Sequence, residues 1–343
     1  MRTGAALETP PKEELPAPPP LSGRKRWRWV PGVLLLAAFL LFVLKRPSEE
    51  RQLGQLFLQA RPAWLLVALG LQVSTYLCTA FLWKRVLMRT GLHPPVLTLA
   101  RLALMKLAFD QLVPSGGIGG SLVVARGLRK RGASAGAAAA SVLVATLSLY
   151  AAQALALGLS MLFLWSRNQV TELVRWLVIA FAAVLAIVPV ALLLLTRPRK
   201  RPLGPWTRRV PGLEALLRAL AEVPPGLLRN PRVLAEATVC TLGVFLLDAG
   251  TLAATLRAIG QSIPLDSAMV SYLIASVAET VSILPGGVGT FEPAAVGMLS
   301  LFHVPVEAAL AGVLLLRGFT LWLPLPVGLL LLKWNGAPKQ QTG

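Results

Sequence analysis

The sequence predicts an all-α integral membrane protein, with six full spans plus two re-entrant hairpins arranged as inverted repeats. Three observations predict it. Apolar residues make up 55% of the 343 positions, and they come in runs of about twenty, the length of helix that crosses a bilayer. Lys and Arg collect between those runs, unequally on alternate sides. A Pro-Gly-Gly pattern occurs twice, in FDQLVPSGGIGG ending at Gly120 and in ETVSILPGGVGT ending at Thr290, each time breaking an apolar region.

Taken in order, residues 1–23 are rich in Pro, Glu and small side chains. Such a segment cannot bury apolar surface and reads as a disordered cytoplasmic tail. RKRWRW and an apolar run follow, but Lys45, Arg46 and Pro47 stand where a signal peptide would need a small-residue cleavage site. Residues 27–44 are therefore an uncleaved first span. Five further runs are long enough to cross, at 63–83, 133–165, 173–196, 233–256 and 308–334. Two regions, 96–128 and 267–304, are apolar but broken, with first arms at 96–113 and 267–284. The whole reads as one polytopic domain over 24–334, with half-repeats at 63–165 and 233–334, a connector at 166–232 and a cytoplasmic tail at 335–343. Only 14% of residues are charged and mean hydropathy is +0.66, where a soluble domain carries about 25% charge. Strand-period alternation is absent, which argues against an outer-membrane barrel.

The net charge of +19 raises nucleic acid as a partner. The basic residues lie between apolar runs rather than on one soluble face, so they read as orientation signals and contacts for anionic head groups. Segments 24–28, 84–89, 126–131 and 197–209 hold seventeen Lys and Arg, against seven in 45–61, 167–175 and at Arg257. The positive-inside rule places the first group in the cytoplasm, with both termini, in a bacterial-type plasma (inner) membrane. Segments 84–89 and 126–131 then share a side, so 96–128 enters and returns there. By parity, 267–304 enters and returns from the other side. Non-helical backbone at membrane depth survives only where protein or water covers it, which makes both hairpins candidates for a site.

The two broken regions match each other. Pro114, Gly116, Gly117 and Gly119 align with Pro285, Gly286 and Gly289 nearly without gaps; at the Pro-to-Pro offset of 171 Gly116 falls opposite Gly287, which leaves a one-residue ambiguity among the glycines. Upstream, Arg89, Gly91 and Pro94 match Arg257, Gly260 and Pro264 with a small indel. Each unit is span, hairpin, span, and the connecting span reverses the second. Inverted repeats with helices broken at mid-membrane are a transporter architecture.

Arms that restart after a break present free N–H groups to a phosphate; the alternative role of these glycines is tight helical packing. Ionisable residues inside apolar runs are costly and mark function. The first hairpin holds Arg101, Lys106 and Asp110, the last two four apart on one helix face. Arg126 follows the break, where it serves either a substrate or the positive-inside pattern. Glu279 and Glu292 flank the second break, and the spans add Asp248 and Arg317. Glu292 with Arg317 is the favoured buried pair, for substrate or for mutual neutralisation. No HExxH, GxxxxGK[ST] or GxSxG occurs, GxGxxG fails at Leu122, and neither His93, His303 nor the separate Cys78 and Cys240 forms a metal pattern. No cofactor is expected.

With PSGGIGGSLVVARGLRKRG (114–132) and ILPGGVGTFEPAAVG (283–297) in view, the chain resembles the flippase-like membrane region of lysylphosphatidylglycerol synthases, found also as stand-alone proteins. The resemblance covers about 24–334. Glu292 matches the family glutamate, and Arg126 the arginine after the first motif. The family's first motif often has Gly-Glu where this chain has Gly119-Gly120, which speaks against a symmetric pair of carboxylates. The soluble aminoacyl-transferase domain of the full-length synthases is not in this sequence, so the resemblance implies binding or translocation of lipids rather than aminoacyl transfer.

Two functions compete on these grounds. One is a flippase-like transporter of an anionic phospholipid or lipid-linked head group, with Lys106, Arg126 and Arg317 countering phosphate and Glu279 and Glu292 shaping the pocket or relaying a proton. The other is a membrane-embedded lipid-modifying enzyme, or an accessory subunit of one. Expected partners are membrane lipids, with a second copy or a membrane enzyme as the protein partner.

Overall fold

A computed structural model describes residues 56, 58–112, 118–166, 187, 189, 190, 194, 225–228, 230–282 and 285–336. No strand occurs among them. The helices are α1 (Pro62–Met88), α2 (Val96–Leu112), α3 (Ile118–Arg129), α4 (Ala135–Ser166), α5 (Pro231–Ala258), α6 (Leu265–Val281), α7 (Phe291–Leu301), α8 (Val306–Arg317) and α9 (Pro324–Gly336), with a single turn at Pro225–Leu228. Four stretches are long and apolar enough to cross a bilayer: Pro62–Met88, Ala135–Phe163, Pro231–Ala258 and Val306–Trp334. The chain is a multi-pass membrane protein. These stretches match the expected spans at 63–83, 133–165, 233–256 and 308–334. The span expected at 27–44, that at 173–196 except residues 187, 189, 190 and 194, and both tails apart from residues 335 and 336 lie outside the described residues.

Local chemistry sets the helix ends twice over. α1 and α5 both begin on a proline, Pro62 and Pro231, which needs no N–H partner in the first turn. Both end on a left-handed glycine. At Gly91 (φ 82°) the Leu92 N–H donates to the Leu87 carbonyl at 3.1 Å, and at Gly260 (φ 84°) Gln261 N–H donates to Leu256 at 2.9 Å. Each bond satisfies a carbonyl that the helix leaves open. α2 and α6 then start after Pro95 and Pro264 and are 17 residues long. All these landmarks recur 169 positions apart. After the breaks the recurrence is 171: Ala133 N–H donates to Leu128 and Val304 N–H to Leu299, at left-handed Gly132 and His303. The small indel expected near Gly91 therefore sits in the hairpin break instead.

The core shows which way the helices run. Arg61 N–H donates to the Ala258 carbonyl at 2.8 Å, and Arg89 pairs with Glu236 at 3.2 Å, so α1 and α5 are antiparallel. One apolar cluster joins the end of α1 (Trp83, Leu87), the start of α2 (Leu99), the end of α3 (Leu128), and the starts of α4 (Ala137) and α5 (Val233). Another joins the end of α5 (Leu256), the start of α6 (Ala268), the end of α7 (Leu299) and the start of α8 (Ala308). The α2–α3 pair thus leaves and returns at one end of the molecule, and α6–α7 at the other.

The antiparallel arrangement predicts a cross-link. With Cys78 and Cys240 replaced by Ala, Arg89→Cys/Glu236→Cys joins through a short bis-maleimide and Arg89→Cys/Arg257→Cys does not, as read by mass spectrometry of the linked peptides.

Two boundaries differ from the sequence reading. The second hairpin's first arm ends at Val281, not at 284; Ser282 is already extended (ψ 136°). The last span is interrupted: Gly318–Trp322 forms a π turn, closed by Leu323 N–H on the Gly318 carbonyl at 2.8 Å. Pro324 has no N–H and its ring crowds the carbonyl four residues back, so the α-helical ladder cannot continue through it.

Candidate functional site

The break of the second hairpin meets the end of the first hairpin's first arm. Gln111, in the last turn of α2, lies so close to Gly286 that a Cβ there would collide with the Gln111 amide oxygen. The break beyond Val281 runs through a short 3-10 turn, Pro285–Gly287, with Gly286 (φ 67°) and Gly287 (φ 62°) both left-handed. That turn folds back on its own arm. A Cβ on Gly287 would stand 2.5 Å from Glu279 Cγ and 2.8 Å from its Cα.

The buried pair anticipated from the sequence is formed. Arg317 Nε donates to Glu292 Oε1 at 2.8 Å, and each residue is 5% exposed. Glu292 is in the first turn of α7 and Arg317 is the last residue of α8 before the π turn. The second Glu292 oxygen accepts Gly289 N–H at 2.7 Å, so one carboxylate ties the hairpin break to the long span. Glu279 Oε1 stands 3.6 Å from Arg317 Nη1 and is a third exposed. The guanidinium lies over the Phe291 ring at 4.0 Å, a desolvated cation–π contact. Arg317 Nη2 is buried and has no acceptor among the described residues. One guanidinium thus faces two carboxylates and keeps one nitrogen without an acceptor among the described residues.

The first hairpin holds its own version. Asp110 Oδ1 accepts Gly120 N–H at 2.8 Å, and Lys106 Nζ reaches Asp110 Oδ2 at 2.7 Å. Gly120 has no room for a side chain beside that carboxylate. Asp110 and Glu279 are 169 apart and so equivalent in the register of the first arms. The sequence reading found no carboxylate counterpart for Glu292, and none aligns with it. Asp110 nevertheless does in space much of what Glu292 does, joining an N–H in the first turn of α3 to a cation.

Of the other candidates, Pro114, Gly116 and Gly117 lie outside the described residues. Gly119 is in the first turn of α3 and Arg126 in its last turn. Pro285, Gly286, Gly287 and Gly289 form the second break. Sequence reasoning passed over Tyr272 and Phe291. Tyr272 hydroxyl donates to Asp248 at 2.7 Å, and its ring meets Phe291 edge-on at 5.9 Å. A usable signal was present: the chain has three Tyr, and a polar-tipped ring in an apolar arm seeks a partner.

The family description "Lysylphosphatidylglycerol synthase TM region" matches residues 29–328. The chain belongs to this family. No curated protein sequence matches it. For a member of the lysylphosphatidylglycerol synthase membrane-region family, a role connected with membrane lipids follows, and the site's ion pairs and break amides are groups that suit polar head groups rather than acyl chains.

Proposed function

We propose that this protein binds an anionic lipid head group between its two hairpins and passes it across a bacterial-type plasma membrane. The observation that carries the reading is the meeting of two helical hairpins, reaching in from opposite ends, beside a buried Arg–Glu cluster with a guanidinium nitrogen that has no acceptor among the described residues. Matching landmarks and antiparallel α1 and α5 support an inverted repeat with both hairpins re-entrant, and inverted repeats of this kind place binding sites at mid-membrane. The more basic end, bearing Arg85, Arg89 and Arg131, is then cytoplasmic.

The proposed roles follow from how firmly each charge is held. Glu292 is anchored by both Arg317 and Gly289. Glu279 is farther from Arg317 and more exposed, so it is the carboxylate that gives way when a phosphate takes the guanidinium. Lys106 meets the head group on the first hairpin's side, and Arg126, in the last turn of α3, meets it at the basic end of the molecule.

Reconstituted liposomes carrying fluorescent phosphatidylglycerol test this. With protein present, an impermeant reductant quenches the inner-leaflet label as well, and Arg317→Ala abolishes that extra loss. Unchanged protection of the inner leaflet for every anionic phospholipid and polyprenyl-linked lipid tried would end the proposal.

A further inference from the structure

Asp248 sits within the spanning helix α5, is 7% exposed, and forms no ion pair with any Lys or Arg among the described residues. One of its oxygens accepts from Tyr272; the other, Oδ1, is buried without a hydrogen-bond partner among the described residues. From α1, Gln72 faces both Asp248 and Tyr76. Gln72 Oε1 and Tyr76 Oη are also buried and close no hydrogen bond among the described residues. The Gln72 amide nitrogen is already used, donating to Thr75 Oγ1 at 3.2 Å. Three oxygens that close no hydrogen bond among the described residues thus lie on facing stretches of α1 and α5, around a carboxylate with no Lys or Arg partner there.

An unpaired carboxylate at membrane depth is among the most costly arrangements a protein can hold. The ordinary remedy, a Lys or Arg, is spent elsewhere: Arg317 is engaged by Glu292 and Glu279. The other groups facing Asp248 add no positive charge. They are Tyr76 from α1 and Tyr272 and Glu279 from α6, with Arg317 of α8 acting on Tyr272. Tyr150 of α4 packs with Ile274 and Val277 instead. An all-oxygen donor set with a single negative charge fits a small monovalent cation.

We infer that Asp248, with Gln72 and Tyr76, binds a monovalent cation, either a proton or a sodium ion. Tyr272 connects this point to the lipid site, since its hydroxyl holds Asp248 while its ring packs on Phe291 under Arg317. Only the coupling of the cation to lipid movement rests on the function proposed above; the binding itself does not.

The test is therefore read by melting and not by transport. Purified full-length protein is melted by tryptophan fluorescence in sodium, potassium or N-methylglucamine chloride at constant ionic strength, and across pH in the absence of sodium. A rise in melting temperature specific to sodium identifies a sodium site. A rise on acidification with no sodium effect identifies a proton. In either case Asp248→Asn loses the response. A wild type indifferent to both, or an Asp248→Asn protein that keeps the wild-type response, overturns the inference. Should Asp248→Asn fail to fold, Tyr272→Phe decides. It keeps the carboxylate but removes its donor, so the half-point moves to lower sodium or to higher pH; an unmoved half-point overturns the inference as well.

Discussion

Replacing Arg317 with Met lowers stability by about 3–5 kcal/mol, the cost of stranding a buried charge whose partner has been removed. Two carboxylates, Glu292 and Glu279, then lie beside an apolar side chain, and Phe291 loses the cation over its ring. Reversible unfolding in mixed micelles measures the loss. Adding Glu292→Gln to Arg317→Met recovers most of it, because the amide oxygen still accepts Gly289 N–H while the more buried of the two stranded charges is gone. Glu279→Gln alone has a smaller effect than Glu292→Gln alone, since Glu279 is a third exposed and stands 3.6 Å from the guanidinium against 2.8 Å. Equal losses for these two single variants would contradict the division of roles between anchor and yielding carboxylate.

The second large effect is at the break. Gly287→Ala carries two penalties that act together. A left-handed backbone (φ 62°) disfavours any Cβ, by about 1–2 kcal/mol. The new methyl would also meet Glu279, whose Cα at 2.8 Å is backbone and cannot swing aside. A total loss of about 3 kcal/mol or more is expected, within reach of the whole margin by which proteins are stable. Gly289→Ala is the control. Its φ of 82° carries the same backbone penalty, but nothing lies within 4 Å of the added Cβ, so only about 1–2 kcal/mol is lost. The difference between the two variants, read by the same unfolding titration, isolates the close approach of the break to its own arm.

Substituting Asn for Asp248 works in the opposite sense to both. It removes a buried charge that lacks a basic partner and leaves the Tyr272 hydroxyl an acceptor, so it removes a cation dependence rather than a structural pair.

The amino-acid sequence by itself determined the membrane class, the spans at 63–83, 133–165, 233–256 and 308–334, and the place of the breaks. These follow from local rules: runs of apolar side chains of bilayer length, Pro and Gly at helix ends, and Lys and Arg sorted by side. It also pointed to Glu292 and Arg317, because an ionisable group in an apolar run must find a partner, and few candidates exist. Family membership was legible in PSGGIGG and ILPGGVGTFE for the same reason, since the breaks carry unusual local chemistry.

Only the tertiary structure decided how those pieces meet. Register was one such matter: a two-residue indel moved from the loop near Gly91 into the break, and Asp110 then fell opposite Glu279. No local rule locates an indel between two glycine-rich stretches. Another was the interruption of the last span, where Pro324 gave the signal but the π turn placing Arg317 depends on what packs around it. The polar cluster of Gln72, Tyr76, Asp248 and Tyr272 joins α1, α5 and α6 across 200 positions of chain. Each of those residues alone is an ordinary polar group in an apolar helix, and the site exists only because antiparallel packing of α1 on α5 brings them to one depth.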